Sequence, residues 1–289
     1  MSPAHKSTPP DPKNTLVTDP KNTLVTDPNW RPELKDFQRD HWNVLRRPTQ
    51  DYLLALFEMT ARGRAAVADL MAGFDTAVGT EMFRHSSSPQ GVPPLLWGDE
   101  IRAHRNMENL YRWIITQLEP DAGGYGAFAD LSIADVIFDD LLPELADSLR
   151  KDPADDDVFS IYASVMIVVL GVLSDTGTHA AITLLDRHGA LSPVTRALRT
   201  CQQYDRSRVD TLVPHFAGAV ADRPQLADEL EARINRAYLL SVELIRTYQD
   251  QFERAPTGTV PGEFVAHAVE RFTSLVATLN GTGSDSSQI

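Results

Sequence analysis

Apolar positions recur at intervals of three and four residues along most of the chain, and no stretch sustains the two-residue alternation with hairpin turns that strands require. The pattern predicts an all-α protein. Helices are expected over residues 31–46, 49–62, 64–84, 99–118, 131–150, 154–174, 178–188, 205–221, 223–254 and 262–279. In the 223–254 segment, Leu226, Leu230, Ile234, Tyr238, Ser241, Ile245, Tyr248 and Phe252 form one stripe. Asp222, with Gln225 three residues later, resembles a capping box, and Pro224 suits a first turn. Thr257-Gly258 and Pro261-Gly262 then punctuate the gap before the last helix.

The most apolar run, Phe159 to Leu173 (FSIYASVMIVVLGVL), is 15 residues long. That is short of the ~20 needed to span a bilayer, so it reads as a buried central helix. A single domain over residues 29–280 is expected to form a multi-helix bundle around it. The octapeptide DPKNTLVT fills residues 11–18 and again 19–26. Its charges cancel, and each proline biases its predecessor away from helix, so residues 1–28 are expected to form a disordered tail. Residues 281–289 read as a frayed C-terminus. Nothing in the first 28 residues resembles a secretory apolar core, and a cytoplasmic protein is expected.

Charge narrows the function. The 40 Asp and Glu outnumber 27 Lys and Arg, for a net charge of -13. Such a field repels phosphate backbones and anionic lipid, so neither nucleic acid nor a membrane is an expected partner; a small-molecule ligand is. Twelve of the acids and only two bases lie in residues 119–157, a run that reads as a solvated face. The lone Cys201 excludes an intrachain disulfide and a thiolate zinc cluster.

The candidate chemistry lies in the histidines. Four of the eight have an acid four residues earlier: Glu81/His85, Glu100/His104, Asp175/His179 and Glu263/His267. That spacing puts acid and imidazole on one helix face, where they pair or converge on a metal. Glu263 and His267 fall away from the stripe of Phe264, Ala268, Phe272, Leu275 and Leu279, which predicts a surface salt bridge. Asp175 and His179 flank Gly177, where a turn and a helix cap are expected. Glu81 and His85 instead share the arc of Val67, Leu70, Met71, Phe74 and Val78. Glu100 and His104 share that of Ala103, Met107, Tyr111 and Ile114.

With a short loop over residues 86–98, antiparallel packing would gather Glu81, His85, Glu100 and His104 at one end of the bundle, with Glu108 at the margin. His41, in the stripe of Leu34, Phe37, Val44 and Leu45, is a further candidate. Two carboxylates and two imidazoles are a ligand set for Fe, Mn or Zn. The spacing is one residue longer than the Glu-x-x-His of ferritin-like di-iron proteins, so the argument rests on ligand type. The expectation is a small-molecule enzyme, an oxidase or oxygenase of bacterial-type specialised metabolism, with Glu81, His85, Glu100, His104, Glu108 and His41 as metal ligands or their supports. The alternative is a non-catalytic binding or scaffold protein that uses its acidic surface.

Asp139-Asp140-Leu-Leu-Pro-Glu144 and Asn235 with Glu243 resemble the two magnesium motifs of class I terpene synthases. That resemblance implies an all-α lyase holding diphosphate through Mg²⁺. It covers only these fragments, and Leu239 stands where the second motif wants Ser or Thr. Arg62-Gly-Arg64 is too small a basic patch for nucleic-acid binding.

Overall fold

Gly63 does not interrupt its helix. In a computed structural model, which describes residues 39–78, 97–119, 135–149, 155–253 and 263–281, the expected 49–62 and 64–84 helices are one rod. A short α1 (Arg39–Asn43) leads to α2 (Arg47–Val78) and α3 (Trp97–Leu118). A π-helical turn, Val136–Leu141, runs into α4 (Leu142–Leu149). Then come α5 (Asp155–Ser164), a π-helical segment Val165–Ser174 and α6 (Asp175–Arg187), which follow without a break. The chain closes with α7 (Ser192–Asp222), α8 (Leu226–Glu253) and α9 (Glu263–Leu279). Among the described residues there is no strand, as the apolar periodicity requires. Both terminal segments, 1–28 and 282–289, lie outside the described residues.

The central apolar run is where the pattern puts it. Val165 through Leu173 are all buried, and α7, α8 and α9 pack around the segment. The Val158–Arg187 rod is long and apolar enough to cross a membrane, but 94% of its most apolar window is buried inside the protein, as befits a core helix. Its π geometry was not legible in the periodicity. Hydrogen bonds of the i→i+5 kind are rare outside functional regions. Gly171 sits where a Cβ would meet Leu275 Cδ1 at 2.7 Å and Val209 Cγ1 at 3.1 Å, so its bare backbone lets α9 and α7 close on the rod.

Three local expectations are corrected. Asp175 and Gly177 form no turn, because the apolar faces on either side are buried in one continuous rod and propagation of the helix costs less than breaking it. The helix expected over 205–221 starts at Ser192, after Leu191, whose buried side chain holds a left-handed backbone at φ 52°. Asp222 ends α7 instead of capping α8, which begins at Leu226 after a turn.

Candidate functional site

Contacts between α2 and α3 pair Arg47 with Glu119, Arg64 with His104 and Asp69 with Arg105. The start of α2 at Arg47 meets the end of α3 at Glu119, and the later Arg64 and Asp69 meet the earlier His104 and Arg105, so the two helices run antiparallel, as expected. Glu100 and His104 both face inward, at 4% and 0% exposure. Each already has a partner. The Glu100 carboxylate takes the Arg208 guanidinium and the Tyr204 hydroxyl, the latter at 3.1 Å. His104 Nδ1 accepts from Arg64 Nη1 at 3.2 Å.

The other expected ligands are placed differently. Glu81 and His85 lie outside the described residues. Glu108 is half-buried and holds Arg105 at 2.8 Å and Arg112 at 3.0 Å. His41 is exposed, and so is Val44 at 79%. The inward positions of α1 belong to Trp42 and, just past its end, Leu45, because the larger ring gains more by burial. His41 is therefore not in the core.

The interior is organised by α7, whose Tyr204-Asp205-Arg206-Ser207-Arg208 run supplies Asp205, Arg206 and Arg208. Arg64 and Asp205 form an ion pair whose side chains are 2% and 3% exposed. Arg64 Nη1 donates to Asp205 Oδ1 at 2.9 Å, Nη2 bonds Oδ2, and Nη2 also donates to Ser174 Oγ at 2.7 Å. Burial works against the Arg64 cation, but Asp205 outweighs it and holds the proton more tightly than usual. His104 falls well below the ordinary imidazole range because it is buried and faces the Arg64 and Arg208 cations. It is neutral at pH 7.

Asp175 ties α6 to α7 and α9. It accepts from Arg206 Nε at 2.5 Å and Nη2 at 2.9 Å, and from His267 Nε2 at 2.9 Å. Burial alone would raise its pKa; the bonds from His267 and Arg206 reverse that and hold it at about 2. His179 stacks on His267 at 4.1 Å with 7° between the rings. The surface pair expected of Glu263 and His267 does not form. Glu263 binds Arg187 at 2.7 Å, while His267 turns to the buried Asp175, whose charge must be compensated. The two acid/His pairs, one expected as a surface salt bridge and the other as a turn with a helix cap, are thus joined to each other.

A metal fits this described set poorly. An arginine can only donate, so His104 Nδ1 accepts and Nε2 carries the ring proton, leaving no lone pair for a cation. Glu100 and Asp205 are both engaged by guanidinium groups. Among the described residues, no three His, Cys, Asp or Glu converge as a metal site.

Beside Arg64 lies a small recess of about 30 Å³. Met59, Val67, Phe138, Val169, Leu170 and Leu173 wall it, and Arg64 and Ser174 supply its polar floor. A second recess of about 30 Å³, towards Tyr52 and Phe264, shares Met59, Leu173 and Gly177 with the first. Both π-helical segments contribute walls, through Phe138 and through Val169 to Ser174.

The sequence reasoning missed Arg64 and Asp205, though a signal was there. Arg64 stands seven residues from both Phe57 and Met71, and Asp205 seven from both Leu198 and Leu212; all four apolar neighbours are buried. A charge repeated into a core stripe needs a core partner of opposite sign. The magnesium-type motif is engaged otherwise: Asp139 takes Arg62 at 2.5 Å, and Leu239 is 66% exposed.

No protein-family model matches the chain, and no curated protein matches it in sequence. Solved structures match it in shape. An R2-like ligand-binding oxidase variant with anaerobically reconstituted Mn/Fe cofactor gives a TM-score of 0.67 at 11% identity, over 90% of this chain and 91% of that one. Another, with aerobically reconstituted Mn/Fe cofactor, gives 0.60 at 14% identity over 95% and 99%. An R2-like ligand-binding oxidase with aerobically reconstituted metal cofactor after photoconversion gives 0.60 at 13% over 90% and 93%. The neighbours are thus oxidases with a metal cofactor that includes Mn and Fe, two of the three metals the sequence pointed to. At these identities the likeness establishes the fold: the chain has the all-α bundle of the R2-like ligand-binding oxidases.

Proposed function

We propose that this chain binds a small, largely apolar organic molecule in the pocket between α2, Phe138 and the π-helical segment Val165–Ser174. The observation that carries the reading is the pocket itself: apolar walls closing on a floor of Arg64 and Ser174. Apolar walls around a few convergent polar groups are the makings of a small-molecule site, and at about 30 Å³ the recess would widen to admit its ligand. Asp205 neutralises the Arg64 charge, and Ser174 is bonded to both, so the floor offers dipoles without net charge. An uncharged ligand suits it better than a carboxylate. Met59 and Gly177 line both recesses, and a methionine chain adapts its shape at little cost, so a shift of Met59 would join the two around a bound molecule.

A second reading is favoured by the bundle's likeness to metal-bearing oxidases and by the inward turn of Glu100 and His104. On it the chain is a non-haem oxidase or oxygenase using Mn or Fe. Glu100 and His104 would then have to give up their arginine partners, and the described residues supply no complete ligand set.

Titration with the apolar fluorophore Nile red tests the first reading. Saturable binding is expected in the parent. Gly177→Leu, which fills the pocket from a position whose added Cβ would make only ordinary contact with Leu56, should weaken it at least tenfold while the Tm stays close to the parent's. Equal affinity in both proteins would remove the pocket as the site. Stoichiometric Mn or Fe in the purified protein would establish the second reading.

A further inference from the structure

We infer that the described interior of this bundle is charge-complete without a metal: three guanidinium groups, on Arg64, Arg206 and Arg208, take the role a bound cation would otherwise fill. The three buried acids among the described residues are Glu100, Asp175 and Asp205. Each has its own arginine: Arg208 on Glu100, Arg206 on Asp175, Arg64 on Asp205. The match is one to one in number and in sign. A buried carboxylate demands a counter-charge, and here every such demand is met by a covalently attached cation that cannot deprotonate.

Adding a divalent ion to this set would place two further positive charges beside three that are already balanced. The geometry opposes it as well. Arg64 spans the core from α2 and touches Asp205 on α7, Ser174 at the end of the π-helical segment and His104 on α3 in a single fork. Those three groups are ones a cation beside Arg64 would recruit, and the guanidinium holds all of them. A planar five-donor fork binds several acceptors at fixed directions, so Arg64 also joins four elements as a multivalent ion would. The inference goes beyond the pocket reading and does not need it.

Two measurements on the full chain test this. The first is elemental analysis after growth in medium supplemented with Mn, Fe and Zn, with Tm recorded before and after chelation and on adding each ion. The expected result is metal far below one equivalent and an unmoved Tm. One equivalent of any of these ions, or a saturable rise in Tm, overturns the inference. The second is a cycle of Arg64→Met, Asp205→Leu and the double variant. Replacing both charges with apolar groups removes the demand as well as its answer, so the double variant should melt above either single one. A double variant no better than the worse single, or unfolded where a single variant folds, overturns the pairing. Should both singles be unfolded, a folded double supports the pairing and an unfolded one overturns it. Loss of Nile red binding would leave these results untouched, and a bound metal would leave the pocket untouched, so the two proposals fail separately.

Discussion

Arg64 Nη1 lies 3.2 Å from His104 Nδ1, across the antiparallel contact of α2 and α3. A permanent donor facing an imidazole fixes which nitrogen holds the proton, and with it which chemistry that imidazole can perform. The same arginine binds Asp205, so one side chain sets both the tautomer of α3's histidine and the charge state of α7's carboxylate. Consequences for stability follow from the neighbouring pairs.

Breaking the Glu100–Arg208 pair should be asymmetric. The Arg208 side chain is 25% exposed and can find water, whereas that of Glu100 is 5% exposed. Arg208→Ala is expected to cost roughly 3 kcal/mol by stranding a buried carboxylate. Glu100→Gln should cost only about 1 kcal/mol. Burial already raises the Glu100 pKa, against the pull of Arg208 and Tyr204. Without Arg208 it rises further, so the deficit should shrink as pH falls and the carboxylate takes up a proton. Urea unfolding of both variants at pH 7 and pH 5 measures this; equal costs at pH 7 would contradict it.

Asp175 should govern acid stability. Its folded pKa of about 2 lies below the ordinary value of 3.8, so its contribution is complete above about pH 4 and fades as pH falls toward 2. The shift corresponds to about 2 kcal/mol. Asp175→Asn should lose that much at neutral pH and converge with the parent near pH 2. Parallel unfolding curves across the whole range would refute the assignment.

Gly171 should couple to Leu275. An alanine there gains helix propensity of up to about 1 kcal/mol but drives its Cβ into Leu275 Cδ1, and overpacking costs roughly 1–3 kcal/mol. Gly171→Ala should therefore destabilise slightly. Leu275→Ala alone, which leaves a hole at a site 3% exposed, should cost 2–5 kcal/mol, or about 3. Combined, the two should cost clearly less than their sum. Additive thermal shifts would show that the close approach is not the constraint.

Cys201 should be inert in the folded protein. It is fully buried, and burial pushes its thiol up to about 12, so almost none is thiolate at pH 8. Ellman's reagent should release colour only at the rate of unfolding, and at once in guanidinium. Prompt reaction without denaturant would place the thiol at the surface.

The helical class and the buried Phe159–Leu173 run were legible because both rest on periodicity, which one sequence carries in full. The inward faces of Glu100 and His104 were legible for the same reason. Their partners were not. Arg208 lies over a hundred residues away on α7, and only the tertiary fold decides whether a buried carboxylate meets a metal, a hydroxyl or a guanidinium. Asp175 illustrates the opposite error. Its neighbour Gly177 suggested a turn, but apolar burial on both sides kept the helix going and carried the acid into the interior. Arg64 was passed over because Arg62-Gly-Arg64 was weighed as a surface patch instead of being phased against Phe57 and Met71.

The wider hydrogen-bonding step of Val165–Ser174 also makes the rod sensitive to the number of residues it contains. A π-helical turn holds more residues than an α-helical one, so removing a single amino acid from that stretch would let it relax toward the ordinary helix while α6 keeps much the same phase relative to α5. Asp175 would still meet Arg206, whereas Val169, Leu170, Leu173 and Ser174 would be re-aimed at the recess they wall. One residue more or less in this segment would therefore change which side chains face the cavity while leaving the rest of the bundle in register.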